Sequence, residues 1–324
     1  MARCHSCFKE TSDSYCRSCQ QKLFDGKKVN HILSFTRPEF NEQRMNQSDR
    51  LSISGVQVKY SAKLEKKELI LIEEGGRYII KPISFGSFQY MENIPANEHL
   101  TMQIANQVFD INTPPNGIMY FKDGGILYIV KRFDVLDNGS KLLQEDFAQL
   151  ANRSEENAGK NYKYDYSYEE IAELMKKYVA AYPVEIEKLY SLIIFNYLIC
   201  NGDAHLKNFS LLRNEQFGDY TLTPAYDIMN TRVHISIEPD TALEFFKDDF
   251  MTEEYKAGSK YTRVDFVELG SRVGIKKDRA EKIISRFTSK EERIIEKVNH
   301  SFLTDELKST YIELVSERRE RLLK

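Results

Sequence analysis

The segment Asn201-Gly-Asp203-Ala-His205-Leu-Lys207-Asn208 gathers a carboxylate, an imidazole, an ammonium and a side-chain amide within eight positions. It lies between an apolar run ending at Cys200 and the strand-like Phe209-Ser-Leu-Leu. A turn clamped between buried elements presents its side chains in fixed directions. Asp203 and Asn208 stand five apart, the separation between the base and the metal-binding amide of a phosphoryl-transfer catalytic loop. A second carboxylate, Asp227 in Pro224-Ala-Tyr-Asp-Ile, follows the strand-like Tyr220 to Thr223 and is the candidate magnesium ligand beside Asn208. Asp203, Asn208 and His205 are thus the candidate catalytic residues. His205 suits orienting the loop by hydrogen bonding better than ligating metal, because no Cys or His neighbours it in sequence.

Two further residues fit a phosphate clamp. Lys81 ends the strand-like Arg77-Tyr-Ile-Ile, and Glu98 lies inside the next helix, where it can hold the Lys81 ammonium. Upstream, Ser52-Ile-Ser54-Gly55-Val-Gln57-Val-Lys59 supplies a candidate phosphate-covering turn in which Gly55 permits close backbone approach. Singly, each has an ordinary explanation: a solvated strand end, an exposed helix charge, a turn glycine. Their order along the chain carries the signal.

Four of the five cysteines form Cys4-x2-Cys7-x8-Cys16-x2-Cys19. Two C-x-x-C pairs offer four thiolates that can close tetrahedrally on zinc; a disordered or redox-active leader is the alternative. So short a segment cannot bury enough apolar surface to fold alone, so metal would decide whether it is ordered. The fifth, Cys200, reads as a buried core thiol.

These groups need a scaffold. The chain has 324 residues, 41% hydrophobic and 29% charged, enough for a substantial core in two lobes. Its net charge of −3 gives no global attraction to nucleic acid or anionic lipid, and strong direct nucleic-acid binding is not expected. The longest apolar stretch, Tyr190 to Cys200, is too short to span a bilayer, and the amino terminus lacks the apolar core of a secretory signal, so a cytoplasmic location is expected. After a polar connector at Asn41 to Asp49, strand-like runs occur at Leu51 to Ser54, Glu68 to Ile72, Arg77 to Ile80, Gly117 to Phe121 and Ile126 to Phe133, with a helix near Ala96 to Val108. From Tyr168 the pattern is mainly helical: Tyr168 to Tyr178, Val184 to Cys200, a hairpin-like interruption, then helices from Val264 onward. Asp137 to Lys141 and Ser154 to Lys163 read as polar loops.

There is no G-x-G-x-x-G, H-R-D, D-F-G or A-P-E, so this is not an ordinary eukaryotic protein kinase. Instead Ser52 to Lys59, Tyr78-Ile-Ile-Lys-Pro82, Asn97-Glu98, Lys131-Arg-Phe-Asp134, Gln144-Glu-Asp-Phe147, Asn201 to Asn208 and Tyr226-Asp227 together resemble the HipA-like serine/threonine kinases, which are bacterial toxin kinases. The resemblance covers Leu51 to Leu323. It implies an α+β, bilobal protein-kinase-like fold with a small sheet-rich N-lobe and a helical C-lobe. It also implies ATP and magnesium as bound groups, Asp203 as catalytic aspartate, Asn208 and Asp227 as magnesium ligands, Lys81 on the ATP phosphates, and Lys131 and Phe133 at the adenine hinge. Autophosphorylation of the glycine-containing loop would fall on Ser52 or Ser54. There a phosphate would add nearly two negative charges where ATP phosphates must sit; capping of the turn by these hydroxyls is the alternative role. The expected organisation is a zinc-knuckle-like segment at 1–30, an N-lobe at 31–135 and a C-lobe at 136–324.

Only about fifty residues precede these motifs, which resembles the shorter HipT-like arrangement with a separate small partner protein, antitoxin or HipS-like. The resemblance further implies a protein substrate such as an aminoacyl-tRNA synthetase. The competing readings are a zinc-knuckle regulatory or nucleic-acid-binding module whose kinase fold binds ATP without transferring it, and a metal-dependent phosphohydrolase.

Overall fold

The computed structural model describes residues 2–46, 59–83 and 88–324. The expected strand at Leu51 to Ser54, and with it Ser52, Ser54, Gly55 and Gln57, lies outside these residues. A hairpin of β1 (Ala2–Arg3) and β2 (Glu10–Thr11) leads into α1 (Arg17–Phe24), and α2 (Arg37–Asn46) follows. Polarity predicts a connector from Asn41, but the helix runs through Asn46. Its start explains why: Thr36 and Glu39 form a reciprocal cap, with the Thr36 N–H donating to Glu39 Oε2 at 2.7 Å and the Glu39 N–H to Thr36 Oγ1 at 3.3 Å.

Among the described residues five strands build the main sheet: β3 (Tyr60–Glu65), β4 (Glu68–Leu71), β5 (Tyr78–Lys81), β6 (Asn116–Tyr120) and β7 (Ile126–Lys131). Their order is β4-β3-β5-β7-β6 and every pairing is antiparallel. Between β5 and β6 the chain forms α3 (Ile94–Phe109), entered through Pro95 and buried along nearly its whole length. Alternation along β7 divides the sheet between two cores. Tyr128 and Val130 join α3 and the helices of the second half, whereas Leu127 and Ile129 pack with Tyr15, Leu23 and Phe24 of the amino-terminal segment. That segment is therefore a layer of the fold rather than a free leader.

In the second half, β8 (Gln144–Asp146), β9 (Ser210–Arg213) and β10 (Tyr220–Leu222) form a small antiparallel sheet in the order β10-β9-β8. Around it lie α4 (Phe147–Leu150), α5 (Glu155–Ala158), α6 (Tyr168–Tyr178), α7 (Tyr182–Leu198), α8 (Glu253–Gly258), α9 (Arg263–Arg272), α10 (Lys277–Thr288), α11 (Glu291–His300) and α12 (Asp305–Leu323). Helix α5 interrupts the polar stretch 154–163, capped by Ser154, whose N–H donates to Asn157 Oδ1 at 2.8 Å. Helix α7 is the hydrophobic axis of this half, from Ile186 to Leu198. The helical pattern is expected to run to Cys200, but the helix ends at Leu198 and Cys200 turns the chain at φ 55°, buried. Among the described residues no helix is long and apolar enough to cross a membrane.

Candidate active site

Lys81 is the last residue of β5, opposite Tyr128 of β7, whose ring lies 5.5 Å from its ammonium. Both Lys81 (3% exposed) and Glu98 (2%) are buried, and the Lys81 ammonium bonds directly to Glu98 Oε1 and Asp227 Oδ1. Asp227 Oδ2 in turn accepts from Lys59. Among the described residues two ammoniums and two carboxylates thus form one neutral cluster drawn from β5, α3, the residue before β3 and the segment after β10. Desolvating each ion costs several kcal/mol, and close opposite charges return on the order of 4 kcal/mol per contact at an effective dielectric near 20. Opposite charges offset most of that cost, although burial, with Asp227 beside it, still outweighs Lys81 at Glu98 and raises its carboxyl pKa above the ordinary value. Burial pushes the Lys81 ammonium down, yet Asp227 and Glu98 outweigh it and hold its pKa above the ordinary lysine value. Burial likewise pushes the Asp227 carboxyl up, but Lys59 and Lys81 prevail and keep it well below the carboxylate range.

Helix α3 is fixed where it must be to present Glu98. Asn97 Nδ2 donates to the Asn230 carbonyl at 2.8 Å, the Asn230 N–H donates back to Asn97 Oδ1 at 3.1 Å, and Thr101 meets the Tyr311 hydroxyl of α12 at 3.0 Å. Asn230 lies three residues beyond Asp227, so one clasp positions both carboxylates. Asp227 itself has φ 58°, a left-handed conformation that aspartate adopts more readily than bulkier residues.

The turn after α7 is held from beneath. The Gly202 N–H donates to Thr231 Oγ1 at 2.7 Å, and that hydroxyl lies 2.8 Å from Glu238 Oε1. A Cβ on Gly202 would stand 2.7 Å from the Glu238 carboxyl carbon, so the glycine permits this approach. Asp203 is half exposed and accepts a 2.6 Å hydrogen bond from Tyr164 at Oδ1. His205 Nε2 lies 3.8 Å from the same oxygen, and its ring packs edge-on against Tyr164. Burial lowers the His205 pKa to about 4 against the pull of Asp203, so the imidazole is neutral at pH 7. Asn208 Oδ1 accepts the His205 N–H at 3.2 Å, closing the turn while leaving one lone pair of that oxygen.

Two features join the turn to the ionic cluster. The Tyr226 hydroxyl bonds to Ser210 and donates to the Lys207 carbonyl at 3.0 Å, which fixes the residue before Asp227 to the turn. The fields of both Asp203 and Asp227 also act on His205. Residue type and spacing do not single out Tyr164, Thr231 or Glu238, and of the supporting residues only Asn97 and Tyr226 adjoin a candidate, Glu98 and Asp227.

Lys131 is the last residue of β7. Its ammonium is bound by Asp25 and reaches the Lys22 carbonyl at 3.5 Å, so it faces α1 and not the ionic cluster. The cause is register: Lys131 pairs with Tyr78 at the end of β7, where its side chain meets the docked amino-terminal segment. Phe133 stacks loosely with Tyr226, ring centroids 5.8 Å apart, and so stays near the site. The thiols of Cys4, Cys7, Cys16 and Cys19 all lie within 4.8 Å of one another and pack with Tyr15 and Leu23, and the Cys7 carbonyl accepts from Gln107 of α3 at 3.3 Å.

The family model described as the HipA-like C-terminal domain matches residues 51–294. A Haemophilus influenzae protein named "Putative kinase" is 27% identical over 298 residues, spanning 87% of this chain and 84% of that protein. Among solved structures, the HipA, HipB and operator DNA complex of the Shewanella oneidensis MR-1 toxin–antitoxin system contains a similar chain. It matches with a TM-score of 0.65 at 20% identity, over 89% of this chain and 71% of that one. The Helicobacter pylori proinflammatory kinase CtkA matches with a TM-score of 0.57 at 15% identity, over 85% of this chain and 93% of that one. At these identities the structural likeness establishes the fold: α+β and kinase-like, with a small sheet-rich lobe followed by a helical one.

Proposed function

Because the chain belongs to the HipA-like C-terminal domain family, we propose that it is an ATP- and magnesium-dependent protein kinase acting on a serine or threonine hydroxyl. The observation that carries this reading is the buried Lys81–Glu98 pair meeting Asp227 in one cluster, tied through Tyr226 to the turn that bears Asp203. We read 31–135 as the N-lobe and 136–324 as the C-lobe, with ATP between them.

The donor set suits the bound groups. Asp227 and Asn208 supply hard oxygen ligands of the kind magnesium takes, and when bound the ion would offset charge on the phosphoryl oxygens. Lys81, held by Glu98, contacts the phosphates as a point charge, and Lys59 turns from Asp227 toward them. Phe133 and the backbone beside Lys131 flank the adenine. Asp203, half exposed, accepts the proton of the incoming hydroxyl. The hydroxyl oxygen forms a bond to the γ-phosphorus as the bond to the β-bridging oxygen breaks, and ADP departs with that electron pair. His205, neutral and beside Asp203, orients the turn. Positioning and charge compensation supply most of the catalysis.

Ser52 and Ser54 are the proposed autophosphorylation sites, with Gly55 and Gln57 in the phosphate-covering loop. A translation-related protein such as an aminoacyl-tRNA synthetase is the proposed substrate class, and a small antitoxin or HipS-like protein the proposed partner, in the cytoplasm. Incubation with γ-labelled ATP and magnesium tests the reading. Self-labelling that disappears in Asp203→Asn and in the Ser52→Ala/Ser54→Ala double variant is expected. Tight nucleotide binding without transfer, or release of free phosphate with no labelled protein, would overturn it. A dominant phosphopeptide outside residues 52–54 would overturn the loop assignment alone.

A further inference from the structure

The amino-terminal cysteines lie outside the proposed transfer chemistry, yet they sit at the centre of a docked unit. Cys7 and Cys16 sulfurs are 3.7 Å apart, and none of the cysteines is in a disulfide. A tetrahedral zinc with Zn–S bonds of about 2.3 Å sets its sulfurs about 3.8 Å apart; the Cys7–Cys16 pair already has that spacing and all four sulfurs lie within 4.8 Å of one another. The Cys16 N–H points at Cys4 Sγ at 3.2 Å, a donor that stabilises a thiolate. Cys16 and Cys19 flank the first turn of α1, whose positive end favours negative sulfur. Immediately after Cys7, Phe8 is held left-handed at φ 65°, with its N–H on the Cys4 carbonyl at 3.1 Å. A bulky residue keeps such a conformation only where its surroundings impose it.

What the unit touches gives its purpose. Strand β6 is the edge of the main sheet, and its outward groups are taken by this segment. The Ile118 N–H donates to the His5 carbonyl at 2.8 Å, the Tyr15 hydroxyl donates to the Ile118 carbonyl at 2.7 Å, and Ser6 donates to the Asn116 carbonyl at 2.6 Å. Further on, the Tyr120 N–H donates to the His31 carbonyl at 2.9 Å. Gly117 lets the two surfaces meet: a Cβ there would lie 3.1 Å from the Tyr15 ring, 3.2 Å from the His5 carbonyl and 3.3 Å from Leu23. At the other end of the unit Asp25 binds Lys131 and, at 3.4 Å, Arg77, the residues where β7 and β5 approach the connection between the lobes. Before it docks, a unit of two two-residue strands and one eight-residue helix has too little apolar surface of its own to hold this shape.

We propose that Cys4, Cys7, Cys16 and Cys19 bind one structural zinc ion, and that the zinc-closed unit serves as a cap that satisfies the open edge of the sheet at β6. Soft thiolate ligands in tetrahedral array select zinc over magnesium or calcium, and in such small units metal binding is coupled to folding. An uncapped β6 would present its free N–H and C=O groups to another chain.

The test uses the full chain and no nucleotide, so its outcome is independent of the kinase reading. Elemental analysis of the purified protein is expected to find one zinc per chain, lost in Cys16→Ser. Removing zinc from the wild type with a chelator should speed amide exchange at Ile118 and Tyr120 by roughly tenfold or more while the core of α7 stays protected. Gly117→Val, which leaves all four thiols in place, should keep its zinc and show the same faster exchange. If Cys16→Ser does not fold, the chelated wild type and Gly117→Val still decide the matter. The proposal fails if the protein carries no metal, carries iron, or has these cysteines paired as disulfides. It also fails if zinc can be withdrawn without altering exchange at Ile118 and Tyr120.

Discussion

The Lys81–Glu98 contact is quantitative enough to be measured as a coupling. Both residues are almost fully buried and directly bonded, with Asp227 and Lys59 completing the neutral cluster. Breaking a buried ion pair from one side costs about 3–5 kcal/mol, because the remaining charge loses its compensation. Here the other two charges soften the loss, so Lys81→Met should destabilise the fold by roughly 2–4 kcal/mol and Glu98→Gln by roughly 1–3 kcal/mol. If these losses arise from one shared contact, the double variant should cost less than their sum, with an interaction of about 2 kcal/mol. Urea unfolding gives all four stabilities. The chain has no tryptophan, so far-ultraviolet dichroism and tyrosine emission serve as the two probes, and their transitions should coincide. An interaction energy below about 0.5 kcal/mol, with each single variant near wild type, would refute the claim that the two side chains form a buried, mutually compensating pair.

Three other outcomes follow from the same geometry. Asp203→Asn should lower phosphotransfer by about a hundredfold or more while leaving ATP affinity within about threefold, read by labelled-ATP kinetics and calorimetry. Lys131→Met should also leave ATP affinity within about threefold, because its ammonium faces Asp25, whereas Lys81→Ala should weaken ATP binding at least tenfold; titration calorimetry separates the two. Burial lifts the Glu238 carboxyl to about 7 despite its bond to Thr231 and the nearby Arg232 and Arg318. Between its ordinary value of 4.5 and about 7 the folded chain therefore holds a proton that the unfolded chain has released, and wild-type stability from this group falls as pH rises through that window. Glu238→Gln removes that loss, up to roughly 3 kcal/mol, so thermal melts at pH 5 and pH 8 should differ less in the variant than in the wild type.

The sequence revealed the site best where function compresses into short segments. Asn201 to Asn208 stands out because its polar groups follow a helix whose last turns, Leu189 to Leu198, are almost wholly apolar, and α6 matches its expected bounds, Tyr168–Tyr178, because Ser167 and Glu170 cap a strongly periodic run. The order of Lys81 and Glu98 suggested a pair that packing of α3 on β7 brings into contact. Strand β3 is a signal the sequence reading passes over: Tyr60, Ala62 and Leu64 alternate strictly with Ser61, Lys63 and Glu65. Strand β8, Gln-Glu-Asp, is strand only because β9 pairs with it. The supports of the site were the hardest to read. Asn97 meets Asn230 across 133 positions, Tyr164 meets Asp203 across 39 and Lys131 meets Asp25 across 106, and no local pattern encodes such contacts.

The central claim is that Asp227 and Asn208 close on the cation of a nucleotide whose phosphates take over Lys81 and Lys59. A crystal structure with magnesium and a non-hydrolysable ATP analogue tests it most directly. The account predicts one cation bonded to oxygens of Asp227, Asn208 and the analogue's phosphates, Lys59 moved from Asp227 to a phosphate, and Lys81 still on Glu98. A cation bound elsewhere, or a nucleotide seated with the Lys59–Asp227 bond intact and Asp203 remote from the γ-phosphate, would contradict it.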